Sequence, residues 1–438
     1  MLDQFKNPPA QYRTIEFDNT ADSPQILIRE LKMEFDRRAA GIDTLPFMRL
    51  PKAIRSDSPY FRFYIDYAAR VRYALSHGQR RAQVALLMPS MGSSSDFFEF
   101  YNANLPLEHV SHDVIDEDAI ISATSVDQSL ICPSNRYEML ILPPIDAVRY
   151  ETALKIQEFV DDGGRVMATM PIPTKDSHGK KDSEVRSIFH EIFGAGSGKN
   201  GPVIELDNGA ILVQTQEPSE LAPTLRDCIS MAIKPDVSIT SAGRQCREIT
   251  FVHHIYEDND IFFFANSSPD AREVQLSIRC DKAPHILDPE TGEQIALINC
   301  TQQGSRTILL HRFEGCGSLT LCFDYEPSLT VPTPQFEHGR QIILSGEWST
   351  TSDNTGAALY SQKTLIPEFM RSQRVIAKLE DSPDIVEFII NGASAGARLW
   401  PPYEMDITAL VKPGPNEVTL KVISSPSIPL GRAEINIY

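Results

Sequence analysis

The chain has 438 residues, 42% of them hydrophobic and 23% charged, which is ordinary globular usage at a length of about two to four domains and sets aside disordered and fibrous classes. Lysine and arginine number 41 against 59 aspartate and glutamate, a formal charge of −18 that repels phosphate backbones and anionic headgroups, so neither nucleic acid nor a membrane is an expected partner. Seven cysteines without a C-x-x-C pair read as thiols of a reducing compartment, and the opening MLDQFKNPPAQYRTIEFD lacks an apolar core; the expectation is a cytoplasmic chain without signal peptide or membrane span, in which the sequons at Asn266 and Asn299 arise by chance.

Residues 1–80 read as a helical and irregular segment. Within it, Tyr60 to His77 repeats apolar residues every three or four positions (Phe63, Tyr67, Val71, Ala74) and is followed by Gly78, the pattern of an amphipathic helix with its C-terminal cap. Residues 81–235 carry three short apolar runs, QVALLM, EMLIL and RVMATM, the last two separated by a helical stretch closed by Gly163-Gly164. Runs without alternation indicate strands buried on both faces, so this region is expected to be a doubly wound α/β domain around a parallel sheet. Residues 236–326 switch to short alternating segments (ITFVHHIY, DIFFFANSS, EVQLSIRC, RTILLHRF, SLTLCF), predicting an antiparallel β-sandwich. Pro327 to His338 reads as a proline-rich linker, and residues 327–438 as a second β domain with a turn at Asn391-Gly392.

The C-terminal region has the most specific pattern. EFIINGASAGARLWPPYEMDIT, followed by LVKPGPNEV, is a strand, a tight Asn-Gly turn, a small-residue return, an aromatic and proline corner, a turn capped by Asp406 or Thr408, and a Pro-Gly-Pro-Asn turn into the last strand. That order resembles the galactose-binding-like jelly roll of glycoside hydrolases. YIDYAARVRYALSHGQRRAQVALLMP, DIFFFANSS and LDPETGEQIAL are in turn similar to the C-terminal half of glycoside hydrolase family 106, the α-L-rhamnosidase-like enzymes. The resemblance covers roughly residues 60–438 and implies an amidotransferase-like α/β domain, a β-sandwich and a jelly roll, with the family's catalytic carboxylates on a (β/α)₈ barrel upstream. Such a barrel needs about 250 residues, and only about 60 precede the matching helix, so no catalytic residue is carried over.

Direct inspection nominates no catalytic group either. Hydrolysis of a glycoside needs two carboxyl groups about 5 to 10 Å apart, and the acidic clusters Asp113-Asp116-Glu117-Asp118 and Asp161-Asp162 read as solvated loop and helix-end positions. Cys132 stands beside Pro133 rather than on a glycine-lined elbow and reads as packed. Gly194 to Gly201 lacks the spacing of a phosphate loop, His190-Glu191 lacks a second histidine, and the adjacent His253 and His254 would face opposite sides of a strand. No metal and no cofactor are expected.

A sugar site needs an aromatic plate and planar polar groups. Trp400 with Arg398, Tyr403 and Glu404 fits that need, and Trp348 near Asp353 and Asn354 is a second candidate; the alternative is a packed corner for Trp400 and a core position for Trp348. The sequence therefore predicts a carbohydrate-active protein, a truncated or accessory part of a rhamnosidase-like glycoside hydrolase that binds or scaffolds. Its partners would be carbohydrate, rhamnose-containing glycans among them, and a barrel-containing chain or a second copy of itself. The rivals are one chain of a split hydrolase and a structural or oligomerising protein with no sugar ligand.

Overall fold

The structure is a computed structural model that describes residues 2–9, 12, 16–21, 47–51, 59–88, 95–133, 135–194, 201–215, 217–297, 300–315, 317–324, 331–332, 340–353, 357–370, 373–380, 385–423 and 430–438. The fold is mixed, with helices concentrated in the first half and antiparallel sheets in the second.

The apolar runs become the centre of a six-stranded sheet. Its spatial order is Val203–Glu205, Ile211–Val213, Arg165–Thr169, Met139–Leu142, Val84–Leu87, His112–Ile115, all neighbours parallel except the first pair. Alternate residues explain the lack of polar positions. Leu87, Leu140, Leu142, Val166 and Leu212 pack with Ile156, Phe159 and Phe189 of helices Tyr150–Asp161 and Asp182–Phe193. Leu86, Met139, Ile141, Met167 and Ile211 pack on the other face with Phe97, Tyr101 and Ile229 of helices Ser95–Asn104 and Leu225–Ala232. Both faces are covered, so the side chains in the middle of the central strands are apolar, and the polar ones, Arg165 and Thr169, stand at strand ends.

One acidic cluster departs from its expected place. Asp113 is not on a solvated loop but in the edge strand His112–Ile115, where its carboxylate accepts from Arg80 (2.6 Å), Asn135 Nδ2 (2.9 Å) and the Tyr137 hydroxyl (3.0 Å). Asp116 caps the helix Glu117–Ser122 by accepting from the Ala119 amide at 2.9 Å.

Beyond Val237 two sheets, of five and seven strands, enclose a core of Phe251, Phe262, Phe264, Leu276, Leu321 and Phe323; they are antiparallel apart from one edge pair, and the larger takes in Gln79–Arg80 from before the parallel sheet. The triple phenylalanine of strand Asn259–Asn266 is divided by the two-residue period. Phe262 and Phe264 enter that core, whereas Phe263, with Ile261, turns outward onto the helix Pro59–Ser76. The helix ends before Gly78, at φ 76°, where an added Cβ would stand 1.9 Å from the Ile255 carbonyl oxygen, so only glycine fits. Within the expected linker, Val331–Pro332 pairs in parallel with Gln294–Ala296, and the rest of it lies outside the described residues.

The C-terminal region forms a four-stranded and a five-stranded antiparallel sheet over one core that includes Leu379, Phe388, Tyr403, Val418, Leu420 and Ile435. The Asn391-Gly392 turn joins Ile385–Ile390 to Ala393–Arg398 with both residues left-handed, at φ 51° and 84°, as a two-residue hairpin requires. The former phosphate-loop candidate lies between Gly194 and Gly201, and residues 195–200 of it are outside the described residues. Among the described residues no helix is long and apolar enough to cross a membrane.

Candidate functional site

A cleft of about 960 Å³ with convergent polar groups lies between the β-sandwich and the C-terminal sheets. One wall comes from the paired strands Val375–Leu379 and Tyr403–Asp406, whose register sets Lys378 opposite Glu404 and Leu379 opposite Tyr403. The opposite wall is built from two turns of the sandwich, Pro269-Asp270-Ala271 and Arg312 to Gly315.

Those turns are fixed by a buried asparagine at the end of the phenylalanine strand. Asn266 Nδ2 donates to the carbonyls of Asp270 and Glu314, at 2.9 Å each, and its Oδ1 accepts from the Ser268 amide at 3.0 Å. Gly315 allows the two turns to touch, since a Cβ there would lie 1.8 Å from the Pro269 carbonyl oxygen. The small residues of ANSSPD and EGCGS are therefore a joint that positions the wall, a role their turn-like composition alone does not reveal.

The cleft has a floor of Leu379, Pro401, Pro402 and Tyr403 and a rim of both charge signs. Lys378 Nζ is 3.5 Å from Glu404, Arg312 Nε is 2.9 Å from Glu314, and Arg272 is 3.7 Å from Asp270. Planar carboxylates and a guanidinium around an apolar floor suit the hydroxyls and ring face of a sugar. Acid catalysis at such a bond requires a carboxyl kept protonated by apolar surroundings; three of the cleft's carboxylates are instead ion-paired at the rim.

Of the five residues nominated from the sequence, Tyr403 and Glu404 line this cleft. Arg398 does not line it: its Nε donates to the Glu404 carbonyl at 2.7 Å, and its other end forms an ion pair with Glu290. Trp400 is 4% exposed, so its ring presents no open plate. Its indole lies 5.8 Å from the Phe63 ring and 4.8 Å edge-on from that of Tyr67, and its Nε1 donates to Glu290 at 2.9 Å. Burial pushes the Glu290 carboxyl above its usual range while Arg398 and the indole N–H draw it back. The packed-corner alternative thus describes where Trp400 sits. Trp348 leans on the C-terminal core, apart from the cleft, and Asn354 is outside the described residues.

The residues that sequence reasoning missed are Lys378, Glu380, Asp270, Arg312 and Glu314. Their only signal is a charged residue at the end of an alternating strand, which is common in any antiparallel sheet. The remaining candidates resolve simply. Cys132 is buried, its thiol pushed up to about 11, which makes it a poor nucleophile. His253 Nε2 donates to Asp260 at 2.7 Å, and although burial opposes it, that contact and Lys282 hold the Asp260 carboxyl down to about 2. Among the described residues no group of three histidine, cysteine or acidic side chains is placed to hold a metal.

Comparison with known proteins gives three findings. The family model described as alpha-L-rhamnosidase, of glycoside hydrolase family 106, matches residues 32–300, more than half of the chain. A Formosa agariphila protein named "Putative beta-glucuronidase" is 26% identical over 234 residues, covering 52% of this chain and 18% of that protein. The structure of a rhamnosidase from Novosphingobium sp. PP1Y superposes with a TM-score of 0.66 at 18% identity, over 95% of this chain and 46% of that one, a likeness of fold. The chain thus spans about a fifth of the curated relative and less than half of the solved one.

Proposed function

The chain belongs to the α-L-rhamnosidase family, glycoside hydrolase family 106, and from that membership we propose that residues 1–438 serve glycan hydrolysis as its binding and scaffolding part. In this reading the bond-cleaving carboxylates stand on a (β/α)₈ barrel outside these residues, on the same polypeptide or on a partner chain. The observation that carries it is the pairing of the parallel strands. They form an open sheet with both faces under helices, whereas a catalytic barrel is a closed ring of eight parallel strands with its site at the C-terminal mouth.

The open sheet is read as the amidotransferase-like domain of the family, with no nucleophile in place among the described residues: Cys132 is buried, and Pro143-Pro144 and Pro171 follow two of its central strands. The two C-terminal sheets are read as the galactose-binding-like jelly roll. The cleft holding Tyr403 and Glu404 is then the glycan site. Its apolar floor takes a sugar face, and Lys378, Arg312 and Glu404 exchange hydrogen bonds with hydroxyls, holding a polymer while a barrel cleaves it.

Calorimetric titration of the full chain with a rhamnose-containing oligosaccharide tests this directly. Binding is expected, and Glu404→Gln should weaken it about three- to tenfold, the loss of one charged hydrogen bond, with no change in melting temperature. Hydrolysis of an aryl α-L-rhamnoside by the chain alone would overturn the non-catalytic assignment, and undiminished binding by the variant would remove the cleft from consideration.

A further inference from the structure

A second surface, away from the Tyr403 cleft, concentrates positive charge in a chain whose net charge is −18. Two adjoining clefts of about 410 and 490 Å³ share Arg81 and Arg136 in their walls; the first adds Arg165 and the second Arg80. They lie at the N-terminal edge of the parallel sheet, where Arg81 precedes Val84–Leu87 and Arg165 opens Arg165–Thr169. Open α/β sheets ordinarily take ligands at the opposite, carboxyl edge, so this surface is not that crevice.

The four arginines differ in what they are bound to. Arg80 is neutralised by Asp113, at 2.6 Å, and also donates to the His112 carbonyl at 2.7 Å. Arg81, Arg136 and Arg165 form no ion pair among the described residues, although Arg81 and Arg165 are half-buried. The carboxylate that also lines the first cleft, Glu138, is taken up elsewhere, by Arg279 at 3.2 Å and Gln83 at 3.3 Å. Asp127 and Glu257 complete the acidic lining, leaving three uncommitted guanidinium groups against two carboxylates.

The surroundings are fixed in advance. Asp127 and Gln128 form a hairpin turn with both residues left-handed, at φ 50° and 59°, and without a glycine. That strained turn is clamped by Asp162, whose Oδ2 accepts from the Gln128 amide at 3.1 Å and the Ser125 hydroxyl at 2.8 Å. On the far wall the Arg165 guanidinium lies against Gly209, where an added Cβ would stand 2.1 Å from Nη1. Guanidinium groups held on rigid elements without carboxylate partners are the arrangement that receives an external oxyanion by paired N–H donors.

We propose that Arg81, Arg136 and Arg165 form a second binding site, for a sugar that carries an oxyanion: the carboxylate of a uronic acid or a sulfate ester. Only the choice of a sugar as the carrier rests on the family membership; the arginines set the charge. Together with the Tyr403 cleft, this site would let one chain hold a polymer in which neutral and acidic sugars alternate.

The full chain is titrated with a glucuronic-acid disaccharide, a sulfated monosaccharide and neutral rhamnose, at low and moderate salt, with a short single-stranded DNA as the competing polyanion. One acidic sugar is expected to bind and neutral rhamnose not to compete for it; whichever acidic sugar binds identifies the source of the oxyanion. Affinity should fall as salt rises. Arg81→Gln combined with Arg136→Gln should weaken binding at least about tenfold, and Arg136→Glu, at an exposed position, should do the same alone with the melting temperature checked alongside. Glu404→Gln should leave this binding unchanged, which separates it from the Tyr403 cleft. Failure of both acidic sugars to bind, equal binding by the folded Arg136→Glu variant, or tighter binding of the DNA would overturn the proposal.

Discussion

Two interfaces join the β-sandwich to its neighbours, and they use opposite chemistry. Towards the C-terminal sheets the contact is aromatic: Trp400 packs on Phe63 and Tyr67 of the long helix, with one acidic group, Glu290, set between Arg398 and the indole N–H. The helix adds Tyr60, whose hydroxyl donates to Glu387 at 2.8 Å, and Tyr67, bonded to Ser318 at 2.5 Å. Towards the parallel sheet the contact is polar. The turn Pro106–Glu108 ends in a left-handed His109, whose Nδ1 accepts from the Ile239 amide at 3.3 Å and whose Nε2 donates to the Cys246 carbonyl at 2.9 Å. Beside it Glu108 pairs with Arg247, and Gln83 Oε1 accepts from the Asp236 amide at 2.8 Å. The aromatic part of the first joint depends on buried area and carries no titrating group of its own, while a joint made through a neutral imidazole holds only in one protonation state.

The strongest test of that contrast is Trp400→Ala. Removing an indole that is 4% exposed leaves a cavity and takes one of Glu290's two donors, Arg398 remaining, for an expected loss of about 3 to 5 kcal/mol, most of it from the cavity. Chemical denaturation would report it, with the C-terminal sheets unfolding first; a loss below about 1 kcal/mol would mean that the helix alone holds the joint.

Acid should act mainly on the other joint. Burial depresses the His109 imidazole to about 4, below its unfolded value, so the unfolded chain binds the proton more readily. Stability is then full above about pH 6.5 and falls as pH drops from there through 4, by about 3 kcal/mol for this group. His254 and His311, also held near 4 by burial, titrate in the same direction. A His109→Gln variant should show a shallower loss over that window in melting-temperature scans, and an unchanged slope would break the assignment. The smallest effect is expected for Arg247→Ala, which leaves the buried Glu108 without its cation and should cost about 1 to 2 kcal/mol near neutral pH; no shift in melting temperature would show that solvent replaces the guanidinium.

What could be read from the sequence followed from how strictly each position was constrained. The runs VALL and MLIL were legible because a strand covered on both faces admits no polar side chain. The strand HDVI was not, because its aspartate is satisfied by Arg80, Asn135 and Tyr137, partners that only the fold supplies. At the candidate cleft, Tyr403 and Glu404 stood out beside the prolines, but Lys378 reaches them through strand pairing and Arg312 and Glu314 from another sheet.

Local rules acted alone in three places, and there the sequence was sufficient. A 3.6-residue period specified the helix before Gly78, two-residue alternation specified the sandwich strands, and Asn391-Gly392 specified a left-handed turn. Trp400 marks the boundary of that power. An aromatic beside arginine and glutamate reads equally as a sugar plate or as an anchor, since both need the same side chain. The decision came from Phe63, Tyr67 and Glu290, remote residues that cover the ring, because exposure is a property of neighbours and no residue carries it in its own identity.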